Sequence, residues 1–246
     1  MSELSLSLEL LRRTDDPAPE IIWGTLAPFL VDPSSNTHRS EINVEKLSNP
    51  YLGTRGRLGL VEFRSLRMGP SAETTASLAA LLRSVTAMLA QNPCHDPLIE
   101  WRDELHQQFS LPYFLHRDME EVLADLEQAG FGLGPPLVKH LLRDQDLVMT
   151  TCEFGKTQLE IRRAIEFWPL VGDVATQERG GSRLIDASTS RIEVRLRSLA
   201  ADGELIDWML SVDDWAIPLR DTKDAAGGAR VIGLRYRSYV PQRGLH

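Results

Sequence analysis

The sequence predicts an α+β fold, and three observations carry the prediction. Between Asn36 and Met68 two segments alternate side-chain character about a loop rich in Asn, Pro and Gly, which reads as two β-strands. From about Ser71 the apolar residues recur at helical spacing instead. From about Leu147 short β-rich segments take over, some separated by Asp202-Gly203 and Gly227-Gly228 turns. The expected architecture is a partial antiparallel sheet with covering helices, followed by a C-terminal antiparallel β-domain. The expected division is residues 1–145 and 146–246, with the second part incomplete at its C-terminus.

The bulk numbers suit a globular chain. It has 246 residues, 42 % hydrophobic and 25 % charged. A formal net charge of −8 argues against a dedicated nucleic-acid binder. Cys94 and Cys152 are the only cysteines and form no CxxC pair, so a reducing cytoplasm is the default compartment. No apolar run reaches the roughly 20 residues that span a bilayer. The N-terminus lacks the basic region of a signal peptide.

The elements follow in order. Leu4, Leu6, Leu8 and Leu10 alternate with Ser5, Ser7 and Glu9, which predicts a half-buried strand. Glu20–Val31 has helical spacing that Pro28 kinks or shortens. Ser71–Gln91 predicts a helix with Leu78, Leu81, Leu82, Val85 and Met88 inward, stopped by Asn92-Pro93. Leu98–Phe109 predicts a second helix, with Trp101 and Leu105 inward. Asp118 and Glu121 have capping-box spacing, and the helix they open would bury Met119, Val122, Leu123 and Leu126 before Gly130 ends it. Leu137–Leu142 predicts a short helix. Leu147–Cys152, Gln158–Arg163, Arg191–Arg197, Leu205–Ser211 and Val231–Tyr236 predict strands.

The 36–68 segment is the one that holds candidate chemistry. Side chains alternate faces along a strand, so Arg39, Glu41 and Asn43 share one face of the first strand, and Leu60, Glu62 and Arg64 one face of the second. If the strands pair, an Arg–Glu set and a Glu–Arg set line one surface. Carboxylates bind Mg²⁺, and guanidinium groups bind phosphates and carboxylates through two parallel bonds. ATP-driven activation of a carboxylic acid requires that combination.

Collinear segments identify a family. They are Asp32-Pro33-Ser34, Asn36-Thr-His-Arg-Ser-Glu41, Lys46-Leu47, Asn49-Pro-Tyr-Leu-Gly53 and Gly56-Arg-Leu-Gly-Leu-Val-Glu-Phe-Arg64. Further on are Leu111-Pro112, Asp125-Leu126, Ala129-Gly130-Phe131, Leu159-Glu-Ile-Arg162, Glu166, Trp168, Asp186 and Ser188. In order and approximate spacing, from about residue 3 to His246, they resemble a bacterial amidoligase family of uncharacterised function. That family occurs in long proteins with an N-terminal transglutaminase-like domain, and it resembles the glutamine-synthetase-like carboxylate–amine ligases. The resemblance implies ATP and Mg²⁺ as cofactors, an acyl phosphate formed from a small-molecule or peptide carboxylate, and an amine that displaces the phosphate.

Residue by residue, the resemblance implies Glu62 and Glu41 as metal ligands and Arg64 as a catalytic, phosphate-stabilising residue. Arg39 would orient the substrate carboxylate, and Lys46 would reach the nucleotide. The family's domain is longer at both ends, and Phe167 and Pro169 flank Trp168 where relatives usually have Pro and His. The expectation is therefore the C-terminal portion of a ligase, inactive alone. It would be completed by an N-terminal subunit or a homo-oligomer, or it would be a truncated product of a split gene. The alternative is a non-catalytic binding or scaffold module. Neither reading involves nucleic acid or a membrane.

The remaining signals have blander readings. His38 lies on the face opposite Arg39, as a structural histidine would. Cys94-His95 are loop neighbours, which seldom form a dyad. Lys46 also fits a solvated strand end. Glu160/Arg162 repeats the Glu-x-Arg pattern as a surface ion pair, and Arg191–Arg197 presents a solvated charged face. Trp101, Trp168, Trp208 and Trp215 read as core or subdomain contacts.

Overall fold

Residues Glu3–Arg13 form a helix, α1, where the Leu alternation predicts a strand. The Ser2 hydroxyl caps it by accepting the Ser5 N–H at 3.2 Å, and Glu9 pairs with Arg13 at 2.7 Å. The segment is built of Leu, Ser, Glu and Arg with no β-branched residue, so nothing in it favours an extended backbone. Leu4, Leu8 and Leu11 make the half-buried stripe, whereas Leu6 and Leu10 are 55 % and 57 % exposed. Two periods were superimposed in one sequence, and the helical one prevails.

The computed structural model describes residues 2–31, 40–66, 69–142, 147–169, 185–199, 208–212, 214–218 and 229–237. Their mixed helices and antiparallel strands make the fold α+β, as predicted. They fall into two compact units. The first is drawn from Met1–Pro70 and Cys94–Glu100, the second from Ser71–Pro93, Trp101–Val171 and Ile185–His246. Among the described residues no helix is long and apolar enough to cross a membrane.

In the first unit, α2 (Pro19–Leu26) starts on Pro19 and tightens into a 3₁₀ turn at Ala27–Phe29, the shortening that Pro28 predicts. Strand β1 (Ile42–Asn43) pairs antiparallel with β2 (Glu62–Phe63), in the register Ile42↔Phe63 and Asn43↔Glu62. The hairpin is real but only two residues deep. Helix α3 (Glu45–Ser48) and a 3₁₀ segment (Pro50–Arg57), kinked where Gly53 adopts φ 57°, occupy the connection.

The second unit holds four helices and the larger sheet. Helix α4 (Ala72–Gln91) is capped by Ser71 and ends at Asn92, with Ser77 and Leu81 buried. Helix α5 (Asp103–Gln108) is shorter than predicted: Arg102 at φ 49° breaks the segment, and Leu98 and Ile99 are exposed. Helix α6 (Pro112–Gln128) starts at Pro112, not at Asp118. Proline at the first helical position already has the required φ and no N–H to lose, so the apolar stripe runs straight through the Asp118 turn. Leu126 is fully buried, and Gly130 at φ 80° ends the helix as predicted. Helix α7 (Pro135–Leu141) follows.

Strands β3 (Val148–Phe154), β4 (Thr157–Arg163), β5 (Thr189–Ser198) and β8 (Ala229–Arg237) form one antiparallel sheet in the order β3-β4-β5-β8. Strands β6 (Leu210–Val212) and β7 (Trp215–Ile217) pair separately. The Asp202-Gly203 and Gly227-Gly228 turns lie outside the described residues. The start of α6 packs on this larger sheet, where the Tyr113 N–H donates to Glu193 of β5 at 2.8 Å. Leu111 is 3 % exposed and stands so close to β8 that a Cβ on Gly233 would lie 2.8 Å from its Cδ2.

Two polar readings need correction. The Glu160/Arg162 pair forms, with Arg162 Nε donating to Glu160, but Arg162 is only 6 % exposed. The Arg191–Arg197 face is not solvated at Glu193, which is fully buried. Alternation identifies two faces of a strand, and both faces of β5 are covered. Trp215 is 80 % exposed and makes no core contact of the kind predicted. Trp168 and Trp208 instead anchor through their indole N–H groups, to the Thr189 carbonyl at 2.8 Å and the Thr157 hydroxyl at 3.1 Å.

Candidate functional site

Cross-strand partners in an antiparallel pair point to the same face. The register Asn43↔Glu62 therefore puts Asn43 and Glu62 on one surface of the hairpin. One step further out, the Arg64 N–H donates to the Glu41 carbonyl at 2.7 Å, which brings Glu41 opposite Arg64. The face-sharing of Glu41, Asn43, Glu62 and Arg64 that alternation predicts is the arrangement observed.

Glu62 is the centre of a three-residue ion cluster. Lys46 Nζ donates to its Oε1, while Arg64 donates to its Oε2 from Nη2 at 2.7 Å and from Nε at 3.2 Å. The three side chains are about a quarter to two-fifths exposed, so the cluster is anchored below and open above. The Lys46 and Arg64 hydrogen bonds hold the Glu62 carboxyl far down its range, at about 2.

The surrounding backbone fixes Lys46. Asn43, 3 % exposed, accepts the Glu45 N–H on its Oδ1 at 3.0 Å and so holds the start of α3. After α3, the Leu58 N–H donates to the Lys46 carbonyl at 2.8 Å, and the Asn49 N–H donates to the Gly56 carbonyl at 3.1 Å. The Asn49 side chain, 5 % exposed as a residue, accepts the Tyr51 N–H at 2.9 Å. Gly56 is required here: a Cβ would overlap the Asn49 carbonyl oxygen. The Asn-Pro-x-x-Gly segment is thus turn chemistry with a purpose, since it presents Lys46 to Glu62.

The predicted site residues divide into three groups. Glu62, Arg64 and Lys46 are brought into contact. Glu41 joins through its backbone, with an exposed side chain. Arg39 and His38 lie outside the described residues. Among the described residues no three His, Cys, Asp or Glu side chains converge as a metal cage. Mg²⁺ commonly uses one or two carboxylates together with substrate phosphates and water; of the expected metal ligands, Glu62 has both oxygens bonded to Lys46 and Arg64, and the Glu41 side chain is exposed. Asn43 and Asn49 were not singled out as functional by sequence, although Asn at the mouth of a helix or turn is a capping signal.

The family described as "Putative amidoligase enzyme (DUF2126)" matches the chain over residues 1–246. No curated protein and no solved structure is significantly similar to it.

Proposed function

This chain belongs to that amidoligase family, and we propose that it takes part in ATP- and Mg²⁺-dependent joining of a carboxylate to an amine. The observation that carries the proposal is the Lys46–Glu62–Arg64 cluster, in which two partly exposed cations are held together on one carboxylate, an arrangement that suits a polyphosphate. Arg64 offers a planar fork to phosphate oxygens, and Lys46 a mobile point charge. Together they offset negative charge as a phosphoryl group passes from ATP to the substrate carboxylate. Glu62 holds both cations in place, and it is the carboxylate that would hold the metal, exchanging one of these bonds for it. Mg²⁺, when bound, draws electron density from the phosphate oxygens. The exposed Glu41 carboxylate stands opposite Arg64, where a second metal contact or the amine would be met. Cys94 and Cys152 are both free and exposed, which suits a reducing cytoplasm.

The experiment is calorimetric titration of the full chain with Mg²⁺·ATP, alongside Arg64→Ala, Lys46→Ala and Glu62→Ala. Binding that weakens at least about tenfold in Arg64→Ala and in Lys46→Ala is the expected result, because each removes a charge-assisted contact. A folded wild type that takes up no nucleotide would overturn the ligase reading and leave a non-catalytic binding module.

A further inference from the structure

Glu62 stands where a phosphate bound to the cluster would have to stand. Its Oε1 takes the Lys46 ammonium, and its Oε2 takes Nε and Nη2 of Arg64 at 3.2 Å and 2.7 Å. Nε and Nη2 form one edge of the guanidinium fork, and that fork accepts carboxylates and phosphates alike. A carboxylate presents two oxygens on one central atom, and so does any edge of a phosphate. The donors that the proposed site offers to a nucleotide are thus turned onto an anion of the chain's own.

Backbone holds the three side chains in this arrangement. Glu62 and Arg64 are two residues apart on one strand and share its face. Lys46 is fixed through its carbonyl, which accepts the Leu58 N–H at 2.8 Å, and through Asn43, which holds the start of α3. The Lys46, Glu62 and Arg64 side chains are nevertheless 38 %, 31 % and 25 % exposed, so solvent reaches the contact. Ion pairs this exposed contribute little net stability, and a competing ion can exchange with them.

We infer that Glu62 is an internal competitor for the phosphate-binding donors of Lys46 and Arg64, and that it makes the site discriminate against nucleotides that carry no divalent cation. This rests on the nucleotide reading of the same site. A metal-free polyphosphate has to displace Glu62 from both cations, and the freed carboxylate then repels the charge that displaced it. A nucleotide that brings a divalent cation gives that carboxylate a new partner, so the exchange strands no anion. Glu41 provides the comparison: it carries the same charge, is exposed, and meets Arg64 through its backbone carbonyl.

The test is calorimetric titration of the full chain with ATP in EDTA and, separately, with Mg²⁺·ATP, for the wild type, Glu62→Gln and Glu41→Gln. The wild type should bind Mg²⁺·ATP at least about tenfold more tightly than metal-free ATP. Glu62→Gln should bind metal-free ATP at least about tenfold more tightly than the wild type does, because the donors no longer face a competing anion. Glu41→Gln should gain less than about threefold, since an exposed charge acts on the phosphates only through screening solvent. A Glu62→Gln variant that gains nothing, or a Glu41→Gln variant that gains as much, overturns the competition. So does a wild type that binds both forms of ATP equally, a comparison that needs no variant and decides the matter should Glu62→Gln not fold. A wild type that binds neither form removes the nucleotide reading and this inference with it, whereas binding of Mg²⁺·ATP without these differences leaves that reading standing and overturns the role of Glu62 alone.

Discussion

Asn43 and Glu62 are direct cross-strand partners, and each controls Lys46 from a different side. Asn43 accepts the Glu45 N–H that opens α3, and Glu62 accepts the Lys46 ammonium that α3 carries. The two-residue strand pair is therefore the short side of a closed circuit, in which backbone pairing, helix start and ion pair fix one another.

Asn43→Ala should break that circuit without touching a charge. Loss of the Glu45 N–H acceptor, a side-chain turn bond ahead of α3, should cost about 0.5–1.5 kcal/mol, as for a typical hydrogen bond. The Glu62 carboxyl should also titrate closer to its ordinary value, because Lys46 is no longer held against it. Chemical denaturation reads the first effect, and carbon-detected NMR of the Glu62 carboxyl reads the second. A stability loss with an unmoved Glu62 titration would mean that Asn43 does not position Lys46.

Glu62 itself should titrate at about 2, against an ordinary value of 4.5. A carboxyl depressed in the folded state stabilises the fold above its unfolded value. That contribution is lost as the pH falls from 4.5 toward 2. Lys46→Met should raise the Glu62 midpoint and flatten the acid limb of the stability curve. An acid limb identical to the wild type's would sink the assignment.

Gly56→Ala should destabilise the first unit by about 1–3 kcal/mol, the range for forcing extra atoms into packed surroundings. A Cβ at this position meets backbone, the Asn49 carbonyl, and backbone cannot rotate away as a side-chain end can. The 49–58 connection must open, so ATP affinity should fall together with stability. Unchanged urea midpoints would show that the loop relaxes freely.

Glu193→Gln should make the second unit less sensitive to rising pH. Burial raises the Glu193 carboxyl, so its favourable contribution is present below the unfolded value and is lost as the pH climbs through the folded one. The Gln oxygen can still accept the Tyr113 N–H, whereas Glu193→Ala leaves that amide without its acceptor, at about 1–3 kcal/mol. Comparing urea midpoints at pH 5 and pH 8 for the three proteins separates the two effects. A Gln variant with the wild-type pH slope would show that Glu193 is not the responsible group.

Local chemistry made several elements legible from sequence. Ser71 and Asn92 bracket α4, Gly130 ends α6, and Pro28 shortens α2, because caps and breakers act through bonds within a few residues. The common face of Glu41, Asn43, Glu62 and Arg64 was also readable, since strand side chains alternate whatever surrounds them. The contact of Lys46 with Glu62 was not, because Lys46 lies in a helix between the strands and reaches the cluster by the fold of the 49–58 connection. Glu41 shows the limit differently: a shared face says nothing of which side chains meet.

What the sequence by itself determined is the α+β class, the bounds of α4, the end of α6, the four strands of the larger sheet and the pairing face of the hairpin. Each of these depends on neighbours along the chain or on side-chain period. Only the tertiary structure decided that Leu4–Leu11 winds as a helix, where period two and period 3.6 both fit and the half-buried stripe breaks the tie. It alone decided that both faces of β5 are covered at its middle, Val194 and Leu196 on one side and Glu193, which accepts the Tyr113 N–H of α6, on the other. Burial is set by what packs on a surface from far away in sequence, and alternation names the two faces without saying which of them stays in water.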